Sequence, residues 1–345
     1  MLNFPIPRID IDEKFRSLLL KYCRIKPGEI WEDPKGKHKI ACIDASNEGS
    51  IKNLMDKEKA TLAIQDPPYN FVAFEERRLE EFIEWCKEWI SITYNILKED
   101  SSHYIWLGAD QNNHFQPLPD FISMMRKTGF SSRSFITMRN QRGYGTQKNW
   151  MSIRQELLYY IKGKPEFNVN AEYTDIPKIL KGYYKKVNGK KTENFERSKS
   201  EFIRAGNVWV DVQQVFYRQE ENVNGCFAQK PLKSIQRIIQ ASSSKNDIVV
   251  DFFSHSGTTL LAAEIEGRKC FTSDVDPVFC EIALRRLENY RNTEKTGWQN
   301  SNPFAEEILQ DKELRKYLKN EYQIQLQIEY EHDLSSITLR EAKSL

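Results

Sequence analysis

Several patterns that mark common cofactor and metal sites are absent from this sequence of 345 residues. It has no G-x-G-x-x-G string and no Walker lysine, which argues against a dinucleotide or ATP site. Its six cysteines form no C-x-x-C pair and no cluster with histidine, so we expect reduced thiols and no bound metal. No apolar run is long enough to cross a bilayer and no basic leader precedes one, so we expect a soluble, intracellular protein without a membrane partner.

An excess of charge of one sign is also absent, since 51 basic and 49 acidic side chains leave a net charge of +2. The distribution of charge is more informative, because residues 178–204 carry nine basic side chains against three glutamates. Basic groups clustered in this way displace counterions from phosphates and supply sequence-independent affinity for nucleic acid. A solvated, partly disordered loop is the alternative, and the interleaved Tyr183, Tyr184 and Phe195 favour binding.

Strands and helices alternate over most of the chain. The segments "KIACIDA", "ATLAIQ" and "SHYIWLG" are typical of strands, and "EERRLEEFIEWCKEWISITYNIL" has apolar residues at helical spacing. The alternation stops between about Phe130 and Gly225 and returns with the strands "DIVVDFF" and "CFTSDVD", each followed by a helix. This order predicts an α/β fold with a mostly parallel sheet and right-handed crossovers.

The string Asp66-Pro67-Pro68-Tyr69 directly follows the apolar strand "ATLAIQ". Two successive prolines give a stiff turn with fixed carbonyl directions. Asp66 and the Pro67 carbonyl could therefore accept both hydrogens of one exocyclic amino group while Tyr69 stacks on the ring that carries it. The alternative is a plain turn after a strand, with Tyr69 packed against the protein, and the string alone does not decide between them.

A second candidate site lies where the strand "DIVVDFF" ends. Open α/β sheets bind nucleotides at the carboxyl ends of their strands. There the turn 254–259 leads into a helix, and Asp274 ends the next strand, where a carboxylate can accept both hydroxyls of a ribose. One glycine and no phosphate-binding pattern favour a cationic adenosine cofactor without phosphates, and S-adenosylmethionine is that molecule.

Three segments in order, "DPPYN", "QKPLKSIQRIIQASS" and "VVDFFSHSGTTLLAAEIEGRKCFTSDVDP", resemble the motif set of the beta-class DNA amino-methyltransferases over about residues 39–291. The resemblance implies a Rossmann-like, S-adenosylmethionine-dependent methyltransferase fold with a circularly permuted motif order and an inserted target-recognition region. It divides the chain into a first catalytic part (1–130), a recognition region (131–225) and a second catalytic part (226–295). Beyond the resemblance, the segment "AEEILQDKELRKYLKNEYQIQ" is typical of one helix, so we expect a C-terminal helical extension (296–345). The implied reaction is methylation of the N6 amino group of a flipped adenine in double-stranded DNA, within a restriction–modification system of the prokaryotic cytosol.

The resemblance also assigns roles to single positions. The catalytic motif falls on Asp66, Pro67, Pro68 and Tyr69. The cofactor residues are Asp44 near the adenine, Asp66, Lys230 and Pro231 near the methionine end, Asp274 at the ribose, and a loop of Asp251, Phe253, Ser254, His255, Ser256, Gly257, Thr258 and Thr259. The candidate DNA contacts in the basic middle region are Arg139, Arg142, Lys148, Lys185, Lys186, Lys190 and Lys191.

Two positions depart from the family pattern. Phe252 replaces a proline and His255 replaces the first glycine of the cofactor loop, so a side chain stands where backbone usually approaches the cofactor. His255 could pack beside the methionine moiety, point away from it, or be an ordinary structural histidine. It does not form a hydrolase pair with Ser256, because the G-x-S-x-G elbow is absent.

Alternatives to adenine methylation stay open at this point. Family usage places Asp at the first motif position for adenine and Ser for cytosine N4, so Asp66 favours adenine. Carbon-5 methylation of cytosine needs a thiolate, usually after proline, and the sequence has no Pro-Cys. The remaining alternative is a catalytically weak DNA-binding protein of the same fold, for which the His255 departure is the support. A homodimer and a partner endonuclease that acts on the same site are further expectations from the resemblance.

Overall fold

The structure is a computed structural model, and it describes residues 6–68, 78–108, 116–144, 150, 152–178, 183–194, 200–215, 218–299 and 301–322. For residues 140–144, 152, 183–187 and 191–194 it describes the backbone alone. Its centre is a nine-stranded sheet. In chain order, the strands of this sheet are β1 (Ile30–Glu32), β2 (His38–Cys42), β3 (Ala60–Gln65), β4 (Leu97–Leu107), β5 (Ser131–Tyr144), β6 (Ser152–Lys162), β11 (Val208–Trp209), β12 (Ile248–Asp251) and β13 (Lys269–Asp274).

The spatial order of the strands is β1-β2-β13-β12-β3-β4-β6-β5-β11. The run from β2 through β13, β12 and β3 to β4 is parallel, whereas β1, β6 and β5 join by antiparallel pairing. The predicted α/β fold with a mostly parallel sheet is therefore confirmed. The change of pattern at Phe130 marks a change from parallel to antiparallel pairing, because β5 and β6 still belong to the central sheet.

Helices cover both faces of this sheet. One core lies under three of them, α2 (Glu48–Met55), α3 (Leu79–Ile96) and α4 (Pro117–Met125). The other core lies under α5 (Leu232–Ser242), α6 (Thr258–Ile265) and α7 (Pro277–Thr293). Helix α3 shows why the apolar spacing matters, since Phe82, Cys86, Trp89 and Thr93 recur every three or four residues and are all buried on one side.

A third apolar cluster joins the two ends of the described chain. It contains residues of α1 (Glu13–Leu19), the outer side of α7, α8 (Ala305–Gln310) and α9 (Lys312–Tyr322). The carboxylate of Asp12 caps α1 and also accepts a hydrogen bond from the Tyr317 hydroxyl at 2.8 Å. The single tail helix expected from the sequence is wrong, because Asp311 separates two helices and its carboxylate accepts the Glu313 backbone N–H at 2.6 Å.

The chain leaves the sheet after β6 and returns at β11, and we call residues 163–207 the insertion. It contains two small antiparallel pairs, β7 (Tyr173–Pro177) with β10 (Phe202–Arg204), and β8 (Tyr183–Val187) with β9 (Lys190–Asn194). Asn188 and Gly189 connect β8 to β9 with φ values of 53° and 75°, as a two-residue hairpin turn requires. Separately, none of the helices in the described ranges combines the length and hydrophobicity that a bilayer span requires.

Candidate functional site at the carboxyl edge of the parallel strands

Four aspartates mark one edge of the sheet. Asp44 follows β2, Asp274 ends β13, Asp251 ends β12 and Asp66 follows β3, and these four strands are parallel neighbours. Since adjacent strands are about 4.8 Å apart, the row extends over roughly 14 Å. This edge therefore offers a series of carboxylates to an elongated ligand, at the position where parallel sheets bind ligands.

Asp66 forms an ion pair with Lys230. The Lys230 ammonium donates to Asp66 Oδ2 at 2.6 Å and lies over the Trp106 ring, 5.3 Å from its centroid. The side chain of Asp66 is 28% exposed and that of Lys230 is 11% exposed, so the pair is accessible from one side. Pro231, the next residue, begins helix α5 as its N-terminal cap. The structure thus joins the "DPPY" string and the Lys-Pro pair, which are separated by more than 160 residues of sequence.

The loop after β12 has two residues in the left-handed region of backbone space, His255 at φ 44° and Gly257 at φ 72°. A Cβ on Gly257 would lie 2.8 Å from the Ala283 Cα, so α7 packs directly against this glycine. The His255 backbone N–H donates to Asp274 Oδ2 at 2.9 Å, and its ring contacts Phe279 with centroids 4.8 Å apart. Burial lowers the pKa of His255 to about 4, so its imidazole is neutral at neutral pH.

Phe252, the other departure from the family pattern, makes a backbone hydrogen bond that a proline could not make. Its N–H donates to Gln65 Oε1 at 2.9 Å, and both residues are buried. Gln65 is the last residue of β3 and directly precedes Asp66. A proline at position 252 could not make this hydrogen bond. Phe252 therefore adds a link between the loop after β12 and the strand that directly precedes Asp66.

Asp251 is buried at this edge, and its neighbour Asp274 is half-buried. Asp251 accepts the Phe253 N–H at 3.0 Å and a hydrogen bond from the Thr259 side chain, and Asp274 accepts the N–H groups of His255 and Asp276. Within the described ranges neither carboxyl forms an ion pair. Burial raises the pKa of each to about 7, despite these hydrogen bonds. The site thus holds two carboxyls whose ionisation a cationic ligand would favour.

The other loop residues shape the turn. Ser254 N–H donates to the Ser273 carbonyl at 2.8 Å, while the buried Ser254 hydroxyl has no hydrogen-bond partner among the described residues. Phe253 packs edge-on against Trp85 and Trp89. The Ser256 and Thr258 hydroxyls lie 3.2 Å apart. On the other flank, the exposed Asp44 accepts the N–H and hydroxyl of Ser46, each at 2.8 Å.

Arg286, on α7, is a component of this site that the sequence did not indicate. It is fully buried, and its guanidinium donates to the Ser256 carbonyl and the Thr258 hydroxyl, both at 3.0 Å. The same group reaches the carbonyls of Glu221 and Thr296. Burial lowers its pKa to about 10, so the group stays charged at neutral pH. No local pattern could have revealed it, because its partners come from three distant segments of the chain.

The predicted DNA contacts that the structure describes lie on β5, β8 and β9, not at the ends of the four strands that precede the aspartates. Arg139 is exposed on β5, opposite Arg154 of β6. Lys190 is exposed at the start of β9. For Arg142, Lys185, Lys186 and Lys191 the described backbone lies in β5, β8 or β9, with Lys186 paired to Lys191. Tyr69 and Lys148 lie outside the described residues.

Comparisons with known proteins agree with this architecture. A family profile described as "DNA methylase", for N6/N4 methyltransferases, matches residues 60–285. The type II methyltransferase M1.MboII of Moraxella bovis is 30% identical over 272 residues, which cover 73% of this chain and 96% of that protein. The DNA adenine methyltransferase YhdJ of Escherichia coli is 30% identical over 243 residues, covering 67% and 77%.

The fold has a counterpart among solved structures. PvuII DNA methyltransferase, described as cytosine-N4-specific, superposes with a TM-score of 0.52 at 15% identity, over 76% of this chain and 89% of the other. At this identity the similarity concerns the fold alone. In sequence, the profile match spans well over half of the chain and includes both Asp66 of β3 and the loop after β12. With two relatives at 30% identity, it shows that this protein belongs to the family of N6/N4 DNA methyltransferases.

Proposed function

We propose that this protein transfers a methyl group from S-adenosylmethionine to the N6 amino group of adenine at a specific site in double-stranded DNA. The observation that carries the proposal is the adjacency of β3 and β12, which places Asp66 beside the loop 251–259 at one sheet edge. The end of β3 would then supply hydrogen-bond acceptors for an amino group, and the end of β12 would supply the binding site of the methyl donor.

The residues at this edge fit S-adenosylmethionine, which carries a reactive sulfonium methyl. The carboxyls of Asp251 and Asp274 form no ion pair within the described ranges and suit a cationic ligand, and the neutral His255 adds no opposing charge. Asp274 would hold the ribose and Asp44 would lie on the adenine side. The turn 254–257, held by Arg286, would face the methionine side together with Lys230 and Pro231.

Cofactor affinity should rise with pH through neutrality. Asp251 and Asp274 are partly protonated near pH 7. A cationic ligand that pairs with the ionised carboxylates must displace those protons. Between about pH 6 and pH 8 the Kd should fall about tenfold for each carboxyl that must ionise. Calorimetric titration of S-adenosylmethionine at several pH values measures this, and Asp274→Asn should reduce the slope. A Kd that does not change over this range would contradict the assignment of both carboxyls.

Asp66 would activate the target nitrogen. The lone pair of an aromatic amino group is delocalised into its ring, so the amine is a poor nucleophile until its geometry changes. Asp66 and the Pro67 carbonyl would accept its two N–H groups and direct the lone pair away from the ring plane. Correct placement of reacting groups can supply about 7–11 kcal/mol of a barrier. The Asp66 carboxylate also balances positive charge that develops on the nitrogen, and Asp66 or water takes the proton.

Lys230 would hold the Asp66 carboxylate in one orientation for this role. Its ammonium lies 2.6 Å from Asp66 Oδ2 and holds that oxygen by a charge-assisted hydrogen bond. The Trp106 ring beneath Lys230 restricts where the ammonium can lie. Together they fix the direction of the Asp66 carboxylate toward the edge of the sheet.

The target base must leave the duplex to reach Asp66, and flipping costs a few kcal/mol. Stacking on Tyr69 would offset part of this cost, since a base on an aromatic ring gains about 1–3 kcal/mol. We expect Tyr69→Ala to lower kcat/KM for DNA by roughly ten- to a hundredfold, while Tyr69→Phe retains most of it. Steady-state methylation in which both variants behave alike would refute the stacking role.

The β8–β9 hairpin supports DNA binding by the insertion. Lys185, Lys186, Lys190 and Lys191 flank its tight turn at Asn188-Gly189, so four basic residues lie within seven positions. A short hairpin with this charge suits contact with the phosphate backbone, and Arg139 on β5 would add a contact nearer the sheet. We place the recognition region in the insertion and in the β5–β6 hairpin.

One experiment separates the candidate activities. Purified protein is incubated with methyl-labelled S-adenosylmethionine and unmethylated genomic DNA, and the DNA is then digested to nucleosides. Label in N6-methyldeoxyadenosine supports the proposal, and label in N4-methyldeoxycytidine supports the cytosine alternative. DNA binding without transferred label would identify a catalytically weak protein of this fold. The type II relatives support a place in restriction–modification, while a homodimer and a partner endonuclease stay predictions.

A further inference from the structure

Helix α5 carries a buried arginine at the place where the insertion meets the catalytic sheet. Arg237 is 4% exposed, and its Nη1 and Nη2 donate to the two carboxylate oxygens of Asp211 at 3.1 and 2.6 Å. Its Nε and Nη2 also donate to the two oxygens of Glu172, at 2.5 and 3.2 Å. One guanidinium therefore holds two carboxylates, each by two hydrogen bonds.

One of these carboxylates belongs to the insertion and the other lies just beyond it. Glu172 lies within it, just before β7, and Asp211 follows β11, where the chain has returned to the sheet. Lys233, one turn earlier on α5, donates to Asp211 Oδ2 at 3.1 Å. Arg237 also lies over the Trp209 ring, 5.0 Å from its centroid. The insertion, through Glu172, and the segment that follows it, through Asp211, are thus attached to the same helix.

The same helix begins at the catalytic site. Lys230, which binds Asp66, lies two positions before the first residue of α5, and Arg237 lies seven positions after Lys230. At 1.5 Å per residue, the helix from Leu232 to Arg237 is about 8 Å long. A rigid element of this length keeps a fixed distance between the insertion and the carboxylate that would bind the target amine.

We propose that Arg237 positions the insertion relative to Asp66, so that contacts with the DNA sequence and placement of the target base occur together. The inference rests on the proposed function, because it assumes that the insertion contacts DNA. Arg237 touches no reacting group and acts through Glu172 and Asp211. A planar guanidinium that makes two bidentate pairs fixes the orientation of both carboxylates, which a lysine cannot do.

A purely structural role is the alternative, and the chain offers a matched control for it. Arg291 on α7 makes an equivalent set of contacts, donating to both oxygens of Asp33 at 2.9 and 2.7 Å and to Glu264 at 2.8 Å. This arginine joins α7 to α6 and to the turn between β1 and β2, away from the insertion. Loss of either arginine removes the guanidinium that two carboxylates share, but loss of Arg291 should not move the insertion.

The test compares Arg237→Lys with Arg291→Lys in the full chain. The target sequence is first read from genomic DNA methylated by the wild-type protein, and duplexes with this target and with single-base variants are then made. We expect Arg237→Lys to raise KM for the target at least tenfold and to reduce the preference for target over variant duplexes at least tenfold. The Kd for S-adenosylmethionine should change less than twofold, and Arg291→Lys should leave KM and preference unchanged.

Equal KM and preference in the two variants would overturn the inference. If Arg237→Lys does not fold, Glu172→Gln gives the same comparison, because it weakens only the contact within the insertion and its side chain is 21% exposed. Wild-type protein that transfers no methyl group to DNA would refute the proposed function and this inference together. Wild-type transfer with unaltered Arg237→Lys and Glu172→Gln variants would refute the inference alone.

Discussion

Asp66→Asn should lower kcat for DNA methylation by at least about 10²–10³, the usual range for loss of one preorganised electrostatic contact. The substitution retains the shape of the side chain but removes the charge that balances the reacting nitrogen. It also replaces an acceptor oxygen with an amide NH₂, which cannot accept from the amine. Because Asp66 belongs to the β3 end of the site, the Kd for S-adenosylmethionine should change only a few-fold. Single-turnover methylation and calorimetry measure the two quantities separately.

Asp247→Asn is the matched control for this change. Asp247 lies immediately before β12, at the opposite edge of the sheet, where it forms an ion pair with Lys98. Its loss removes a carboxylate of similar exposure without altering the row of aspartates. If Asp66→Asn and Asp247→Asn gave the same kcat, Asp66 would have no special part in the chemistry.

Among Gly→Ala substitutions at the described glycines of this sheet edge, Gly257→Ala should weaken cofactor binding most. The new Cβ would lie 2.8 Å from the Ala283 Cα and 2.9 Å from its Cβ, so the loop or α7 must move. A non-glycine residue at φ 72° also carries strain of about 1–3 kcal/mol. We expect the Kd for S-adenosylmethionine to rise at least about tenfold, which corresponds to 1.4 kcal/mol. Calorimetric titration and thermal unfolding of the free protein give both effects.

Gly267→Ala separates strain from collision. Gly267 follows α6 at φ 70°, almost the same backbone conformation, but a Cβ there would meet nothing within 4 Å. This variant should lose a similar amount of stability to backbone strain while binding the cofactor with an unchanged Kd. A Gly257→Ala protein that binds as tightly as Gly267→Ala would show that the contact with α7 does not shape the loop.

Local patterns in the sequence were sufficient for the parallel half of the sheet. The apolar run 60–65 coincides with β3, and the position of Asp66 follows directly from where that run ends. The strands and helices of the second catalytic part also lie where their periodicity indicates. Buried parallel strands are continuous apolar segments between helices, so neighbouring residues contain the information that locates them.

The antiparallel half of the sheet could be predicted less well from the sequence. β5 and β6 are interrupted by basic residues such as Arg139 and Arg154, which mask their alternation, and the region was interpreted as an insertion from Phe130 onward. The β8–β9 hairpin had a usable signal in Asn188-Gly189, a pair that favours a tight hairpin turn. No local sequence pattern indicates the Gln65–Phe252 hydrogen bond or the contacts of Arg286, because they depend on how separate segments of the chain meet.

The contact between the ends of the described chain bears on how this fold can be connected. The Tyr322 hydroxyl donates to the carboxylate of Asp12, so the last turn of α9 lies beside the first turn of α1. A short peptide bridge there, with a break in the insertion, would leave every strand pairing of the parallel run intact while placing the loop 251–259 ahead of the string that begins at Asp66. The linear order of the two motifs is therefore a matter of connectivity, and the packing of the catalytic domain does not impose it.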